Sequence, residues 1–144
     1  MYLIHEAEER DLQIISELEK DLFFEEKWSY FQILKEFKNE ISKIWVLKEK
    51  EKIIGYLIFR EIKPEIEVFK IGVKKEYQRK GLGTKLMQKL IEFAKEKNIS
   101  KIFLEVKASN LSAYNFYKKL GFKETYRRKN YYYNEEAIIM VKEI

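Results

Sequence analysis

Apolar residues recur along the chain with two periods, and each period predicts one kind of secondary structure. An apolar residue at every third or fourth position is typical of a helix with one buried face. This spacing, with Ser29 and Asn110 as N-caps, predicts four helices at residues 11–22, 30–37, 82–97 and 111–120. Alternation and short apolar runs predict seven strands at residues 2–8, 44–48, 53–60, 65–73, 99–106, 122–133 and 137–141.

The order of these elements is β-α-α-β-β-β-α-β-α-β-β over residues 1–144. No linker, repeat or low-complexity stretch interrupts the pattern, which predicts one α/β (α+β) domain. We expect a mixed, mostly antiparallel central sheet with helices on both faces. The two crossings between residues 66 and 120 should each place parallel strands side by side. The gap where parallel strands diverge is a natural ligand site.

Composition narrows the class of protein. Apolar residues make up 46% of the 144 residues and charged residues 37%, a mixture typical of a soluble globular domain. No apolar run approaches the roughly 18 residues of a membrane span, and residues 1–6 lack the features of a secretory signal. We therefore expect no membrane contact and a cytoplasmic location. The sequence contains no cysteine, which excludes disulfides and thiolate metal sites, and no metal is predicted.

The net charge of +5 is unevenly distributed. Residues 1–70 carry 12 Lys/Arg and 16 Asp/Glu, whereas residues 71–144 carry 17 Lys/Arg and 8 Asp/Glu. A basic half suits a polyanionic ligand such as a nucleotide cofactor or RNA, although a lysine-rich solvated surface has the same composition. Because no aromatic pattern of an RNA-binding motif accompanies it, no direct nucleic-acid partner is expected.

A glycine loop between a predicted strand and a predicted helix carries the first candidate chemistry. The strand ends at Val73, and the loop contains Gln78-Arg79-Lys80-Gly81-Leu82-Gly83-Thr84. Glycines let backbone N–H groups come close to a phosphate, and a helix N-terminus adds about half a positive charge. Arg79 and Lys80 add side-chain charge for a diphosphate. The loop lacks the ending of a Walker loop and the third glycine of a dinucleotide fingerprint, and a lone G-x-G also fits an ordinary tight turn.

Further motifs stand in a fixed order around this loop. They are Trp28-Ser29 after Phe24, Phe69–Val73, Leu104–Asn110, Tyr117–Phe122, Arg128–Tyr132 and Ala137–Met140. Together with the loop they resemble the GCN5-related N-acetyltransferase (GNAT) superfamily over essentially the whole chain. The resemblance is nearest to the bacterial ribosomal-protein alanine N-acetyltransferases and related N-terminal acetyltransferases. It implies the GNAT fold, with acetyl-CoA as co-substrate.

The resemblance also implies which residues hold acetyl-CoA. The backbone of Ile71, Gly72 and Val73 would pair with the pantetheine arm as a neighbouring strand would. The diphosphate would lie on the loop residues Arg79, Lys80, Gly81, Leu82, Gly83 and Thr84. Asn110 would bind the pantetheine arm through its side-chain amide, in competition with its role as a helix N-cap.

Transfer of an acetyl group to an amine needs a proton acceptor, a polarised carbonyl and a proton donor for the thiolate. No cysteine is present and His5 is the only histidine, so direct attack by the amine in a ternary complex is the simplest route. Backbone N–H groups of a bulged strand near Val73 would polarise the carbonyl. The resemblance implies Glu105 as proton acceptor, in a partly dry cleft that raises its pKa, and Glu67 is the rival.

Tyr117 is the candidate proton donor, because a phenol can protonate a thiolate at neutral pH. Tyr114 lies on roughly the same helix face and is the alternative, although a role in the core suits it better.

The acceptor is the least determined part of the reaction. The resemblance places Trp28, Tyr30 and Phe31 on one wall of a peptide groove and Tyr131–Tyr133 on the other. The chain departs from the family at the final hairpin, which is shorter and has Glu136 in place of Asp.

The leading hypothesis is therefore acetylation of a protein N-terminal α-amino group, with a ribosomal protein among the candidate acceptors. A lysine or small-amine (polyamine or aminoglycoside) acetyltransferase and a non-catalytic acyl-CoA-binding module remain open. The oligomeric state carries no prediction.

Overall fold

The computed structural model describes residues 1–23, 26–130 and 135–144, apart from the side chain of Asn130. Its strands are β1 (Tyr2–Glu6), β2 (Ser42–Glu49), β3 (Lys52–Ile62), β4 (Glu65–Val73), β5 (Lys101–Lys107), β6 (Lys123–Asn130) and β7 (Glu135–Glu143). Its α-helices are α1 (Leu12–Leu22), α2 (Tyr30–Phe37), α3 (Leu82–Glu96) and α4 (Leu111–Lys119). Two short 3₁₀ turns, Glu9–Asp11 and Lys75–Tyr77, precede α1 and the glycine loop. The predicted element order is confirmed.

The strands form one sheet in the order β1-β2-β3-β4-β5-β7-β6, in which only β4 and β5 are parallel neighbours. The predicted mixed, mostly antiparallel sheet is confirmed. The expectation that both crossings produce parallel neighbours is wrong for the second one, because β7 lies between β5 and β6. The reason is chemical: β7 is apolar enough for an interior strand. The strand β6, Lys-Glu-Thr-Tyr-Arg-Arg-Lys-Asn, is polar and suits an edge.

Each face of the sheet is covered by its own helices. The helix α3 buries Leu82, Leu86 and Leu90 against one face, where α4 adds Tyr117. The helices α1 and α2 cover part of the other face, with a core that includes Leu12, Ile15, Ile33, Val46 and Ile58. This second core extends only as far as Phe69 on β4. The strands β5, β7 and β6 therefore continue beyond the cover of α1 and α2.

The parallel pair β4/β5 is joined over only three residues. Its register runs from Glu65↔Lys101 to Glu67↔Phe103, after which the two strands separate. Just beyond this point the pairing of β4 with β3 skips Phe69, because Val68 pairs with Phe59 and Lys70 with Ile58. This irregularity is a β-bulge, which bends a strand and increases its twist. The bulge and the end of the β4/β5 register together create a split in the sheet.

Candidate active site

A cleft of about 700 Å³ occupies the split between β4 and β5. It brings together residues from β4, the glycine loop, the end of β5, and α4. Eleven of the twelve predicted site residues line it: Ile71, Gly72, Val73, Arg79, Gly81, Leu82, Gly83, Thr84, Glu105, Asn110 and Tyr117. Lys80 is the exception, and its ammonium lies 5.4 Å from the centre of the Tyr77 ring.

The edge of β4 turns backbone polar groups toward the cleft. The N–H of Lys74 donates to Ile54 O on β3 at 2.8 Å. Successive residues of a strand point their N–H and C=O groups to opposite sides. Because Lys74 bonds to β3, the N–H and C=O groups of Val73 and Ile71 point the other way, into the cleft. Gln78 Nε2 donates to Val73 O from that side at 2.8 Å. Gly72 points its own N–H and C=O back to β3, which corrects the expectation for that residue.

Gly72 leaves room for the side chain of Tyr56 because it has no side chain of its own. A Cβ atom there would lie 2.6 Å from the ring and hydroxyl of Tyr56, a buried residue of β3. The bulge of β4 lies at Phe69, where the register with β3 shifts. Val73, whose N–H was predicted to polarise the carbonyl, lies further along this bulged strand, and its N–H faces the cleft.

The glycine loop presents unpaired donors at the start of α3. Gly81 adopts φ 77°, in the left-handed region, and no side chain caps the helix. The first intrahelical bond from this end is Lys85 N to Gly81 O at 3.0 Å, so the N–H groups of Leu82, Gly83 and Thr84 have no intrahelical acceptor. Arg79 also has positive φ, 64°, which is uncommon for a residue with a side chain. The arrangement is a binding site for an anion.

Asn110 caps α4 and also lines the cleft. Its Oδ1 accepts a hydrogen bond from the N–H of Ala113 at 3.1 Å. The cap uses only the oxygen of the amide, and the amide nitrogen carries two N–H donors of its own. The two predicted roles of Asn110 therefore use different atoms and are compatible.

Glu105 lies on the face of β5 that α1 and α2 leave uncovered. Its side chain is 38% exposed and forms an ion pair with Arg128 of β6. The expected partly dry surroundings are wrong, because no helix covers this part of β5 and a guanidinium faces the carboxylate. Glu105 nevertheless borders the cleft, between the co-substrate side and the open face of the sheet.

Glu67 is the drier of the two carboxylates. It pairs in register with Arg60 of β3 and stands next to Phe103 of β5. Burial raises the pKa of Glu67, the Arg60 guanidinium lowers it in part, and the negative charge of Glu105 raises it again. Glu67 and Glu105 thus share the same face of the sheet, where the charge of Glu105 acts on the pKa of Glu67.

Tyr117 is buried in the wall of the cleft formed by α4. Its ring packs edge-on against Phe116 and Phe122, with ring centres 5.1 and 5.7 Å away. Burial raises the pKa of Tyr117 above its ordinary value, so the phenol keeps its proton. Tyr114 is half-buried against the core, and its hydroxyl donates to Glu124 at 3.2 Å, away from the cleft-lining residues.

The structure adds cleft residues that the sequence interpretation missed. Three residues were missed: Phe23, Lys70 of β4 and Phe116 of α4 all line the cleft. Phe23 belongs to the connection between α1 and α2, and the name α1–α2 segment is used here for its described residues, Phe23 and residues 26–29. Lys70 could have been noticed, because a lysine interrupts the apolar run Val68-Phe69-Lys70-Ile71. Nothing in the local sequence marks Phe23 or Phe116, since aromatic residues at helical spacing are ordinary core residues.

The predicted acceptor walls are described only in part. Trp28 packs against Phe69 with ring centres 6.1 Å apart, and Phe31 is 77% exposed on α2. Phe24 and Tyr131–Tyr133 lie outside the described residues. A further link crosses the cleft, where Lys107 of β5 meets the Glu26 carboxylate at 2.8 Å.

The described residues fit coenzyme A on three counts. A strand edge with backbone groups facing the cleft matches the amides of a pantetheine arm. The uncapped start of α3, with Arg79 beside it, matches a diphosphate. A Cβ built on Gly81 would meet no atom within 4 Å, so the space in front of the loop is open. The fold and the site therefore define an acyl-CoA-dependent acyltransferase.

Comparison with known proteins identifies the family. Residues 3–122 match the model of the acetyltransferase (GNAT) family. The chain is 36% identical over 145 residues to the [ribosomal protein bS18]-alanine N-acetyltransferase of Haemophilus influenzae, covering 97% of each protein. It is 38% identical over 98 residues to the enzyme of that name from Escherichia coli, a match that spans 65% of this chain and 66% of that protein. This chain belongs to the GNAT family, whose enzymes use acetyl-CoA.

A solved structure agrees with the sequence matches. The crystal structure of the ribosomal-protein-S18-alanine N-acetyltransferase from Escherichia coli superposes with a TM-score of 0.92 at 32% identity, covering 100% of this chain and 94% of that one. The predicted GNAT fold is confirmed.

In the described part of the chain, none of the helices combines the length and apolar character that a membrane span requires. Within residues 1–23, 26–130 and 135–144, no three Asp, Glu or His side chains are grouped so that they could hold a metal ion.

Proposed function

We propose that this chain, acting as one domain over residues 1–144, transfers the acetyl group of acetyl-CoA to the α-amino group of a protein N-terminus. The observation that carries the proposal is the shared cleft. The anion site at the start of α3, the edge of β4, and the side chains of Glu105 and Tyr117 all border the same split in the sheet. A co-substrate entering from the α3 side would meet an amine entering from the open face of β5.

Acetyl-CoA supplies the activated acetyl group, and the chain positions it. The N–H groups of Leu82, Gly83 and Thr84, with Arg79, would hold the diphosphate, and Asn110 would donate from its amide nitrogen to the pantetheine arm. The groups of Ile71 and Val73 that face the cleft would pair with the arm. The Val73 carbonyl is at present bonded to Gln78, so this side chain would have to give way for the arm to use that oxygen.

Glu105 is our choice of proton acceptor. It stands where the cleft opens to the uncovered face, within reach of an entering amine, and it is exposed enough to work through water. Arg128 would have to share or release the carboxylate when an ammonium group arrives. Glu67 stays the rival, because burial raises its pKa and a carboxylate with a raised pKa is a stronger base.

Tyr117 is our choice of proton donor. Its burial favours the neutral phenol at physiological pH, and its ring is fixed between two neighbouring aromatic rings. A fixed, protonated hydroxyl at the cleft wall suits a leaving thiolate.

The choice of acceptor rests on the relatives. The Haemophilus influenzae and Escherichia coli proteins that resemble this chain are named for the alanine of ribosomal protein bS18. We infer a protein N-terminus, with a ribosomal protein as first candidate, and a cytoplasmic site of action. We place the peptide on the face of β5, β7 and β6 that α1 and α2 leave uncovered.

A peptide panel tests the proposal. Peptides that vary the first two residues are incubated with acetyl-CoA, together with an N-blocked peptide that contains one lysine and with a polyamine. Mass spectrometry should locate the acetyl group on the α-amine. Acetylation of the blocked peptide or the polyamine alone would contradict the proposal.

A further inference from the structure

A buried charged network lies beside the cleft, outside the residues assigned so far. Its centre is Glu19 of α1, whose side chain is fully buried. One carboxylate oxygen accepts the N–H of Trp28 at 2.8 Å and pairs with the Lys70 ammonium at 3.2 Å. The other oxygen accepts the Tyr56 hydroxyl. Donors from the start of α2, from β3 and from β4 therefore meet on one carboxylate.

Lys70 reaches a second point on the same segment. Its ammonium donates to the backbone oxygen of Glu26 at 2.6 Å and lies 4.5 Å from the centre of the Phe23 ring. Only 11% of this side chain is exposed, and the exposed part lines the cleft. Lys70 thus contacts the α1–α2 segment at two residues, Phe23 and Glu26.

The α1–α2 segment that Lys70 contacts forms part of the cleft. Phe23 and Glu26 line the cleft, and the Glu26 carboxylate meets Lys107 on β5. Glu26 therefore links β4 to β5 beside the open face that an acceptor must approach. The proposed diphosphate site is built from other residues of the cleft, at the start of α3. A change in the segment should affect the acceptor and leave the co-substrate site intact.

We propose that Lys70, held by Glu19, is a positioning residue that fixes the α1–α2 segment as one wall of the acceptor site. The inference rests on the proposed function, because it assumes a peptide amine as acceptor. A buried ammonium that bonds to a carboxylate and a backbone oxygen makes charge-assisted hydrogen bonds, which are stronger than neutral ones. Loss of the charge releases the segment at both contact points.

The experiment compares Lys70→Met with three further variants. Lys70→Arg keeps the charge, and the double variant Lys70→Met/Glu19→Gln removes both charges, so that no unpaired charge is left in the core. Lys101→Met is the matched control, because Lys101 pairs with Glu65 at 3.3 Å across the same two strands but at the other end, on the surface. Thermal unfolding of each variant is recorded first.

Steady-state kinetics and hydrogen exchange then give separate readouts. Lys70→Met and the double variant should raise the acceptor KM about tenfold, the loss expected for a charge-assisted contact, with kcat within threefold and the acetyl-CoA KM within twofold. Amides of Phe23 and of residues 26–28 should exchange faster. Lys70→Arg should bring the acceptor KM back toward the wild-type value, and Lys101→Met should match wild type throughout.

Three results would overturn the inference. The first is an unchanged acceptor KM in both Lys70→Met and the double variant. The second is a parallel rise in the acetyl-CoA KM, which would mean that Lys70 touches the co-substrate. The third is unchanged exchange of Phe23 and residues 26–28. The exchange measurement needs no acceptor, so it still tests the network if the wild-type protein acetylates no peptide N-terminus, a result that would reject the proposed function instead.

Discussion

Two carboxylates on the same face of the sheet, Glu105 and Glu67, have different surroundings. Glu105 is exposed and paired with Arg128, whereas Glu67 is drier and has a raised pKa because of burial. Position favours Glu105 as proton acceptor, since it borders the cleft, and proton affinity favours Glu67. Substitution of each by glutamine separates the two arguments, because the amide keeps the shape and removes the basic oxygen.

For Glu105→Gln we expect kcat to fall about a hundredfold or more, the usual contribution of a general base, with acetyl-CoA affinity nearly unchanged. Stopped-flow or steady-state kinetics measure the first quantity and calorimetry the second. Glu67→Gln serves as the matched comparison and should have the smaller effect on kcat. The reverse order would transfer the role of base to Glu67.

Tyr117 gives a prediction about pH. Because burial raises its pKa above the ordinary 10.0, the phenol loses its proton only at higher pH than a free tyrosine. We expect Tyr117→Phe to lower kcat about a hundredfold, while the ring contacts with Phe116 and Phe122 preserve the fold. Between pH 6 and 9 the wild-type kcat should show no decline caused by loss of the Tyr117 proton. An unchanged kcat in Tyr117→Phe would contradict the role of proton donor, and a decline in that range that disappears in Tyr117→Phe would contradict the raised pKa.

For single residues, the sequence predicted which residues line the cleft better than it predicted their ion-pair partners. Eleven of twelve predicted positions line one cleft, because motif spacing fixes which residues reach a strand end or a helix start. The pairing of Glu105 with Arg128 joins residues 23 positions apart across one other strand, β7, and no local pattern reports such a contact. The same holds for Glu19 and Lys70.

Among the helices and strands, the start of α3 allows a specific prediction about stability and ligand binding. Its first turn contains no acidic residue, and its N-terminal N–H groups lack a side-chain cap. A carboxylate placed there would stabilise the helix through the macrodipole and at the same time repel a diphosphate. Stability and binding should therefore change in opposite directions.

We expect Gly83→Asp to weaken acetyl-CoA binding at least about tenfold without lowering the melting temperature. The new Cβ would lie 3.4 Å from the Phe116 ring, an ordinary contact, and Gly83→Ala reproduces it without the charge. Calorimetry and thermal unfolding measure the two effects. Undiminished affinity in Gly83→Asp, or an equal loss in Gly83→Ala, would reject the anion site.

Gly81→Ala tests the backbone of the same loop. Its φ of 77° disfavours any residue with a Cβ, while the added methyl group would meet no atom within 4 Å. We expect a loss of about 1 kcal/mol in the free energy of unfolding, caused by backbone strain, and weaker acetyl-CoA binding. Denaturant titration and calorimetry check the two effects, and a variant as stable as wild type that binds equally well would contradict the account.

Element boundaries were predictable where a residue enforces them. Ser29 caps the start of α2 as predicted, within a capping box, and Gly121 follows α4 with φ 96°, in the left-handed region that suits the end of a helix. The position of the bulge at Phe69 was not predictable, because the β3/β4 register depends on the packing of both strands and no residue of β4 marks the irregularity. The bulge sets Lys70 toward Glu19 of α1, which matters for the acceptor wall.

Under the proposed function, the two substrates approach one split in the sheet from different sides. The start of α3 has N–H groups without a side-chain cap, whereas Glu67 and Glu105 lie on the face of the sheet that α1 and α2 cover only in part. Sequence order alone predicted the sheet, its mixed character and the helices on both faces. The placement of β7 between β5 and β6 was not predicted, because it depends on which strand is apolar enough for the interior.

The central claim is that this split holds the diphosphate of coenzyme A at the start of α3. A crystal structure of the chain grown with coenzyme A tests it most directly. We predict phosphate oxygens within hydrogen-bond distance of the N–H groups between Arg79 and Thr84, with the thiol directed toward Tyr117. Coenzyme A bound elsewhere on the molecule, or no binding under saturating conditions, would contradict the account.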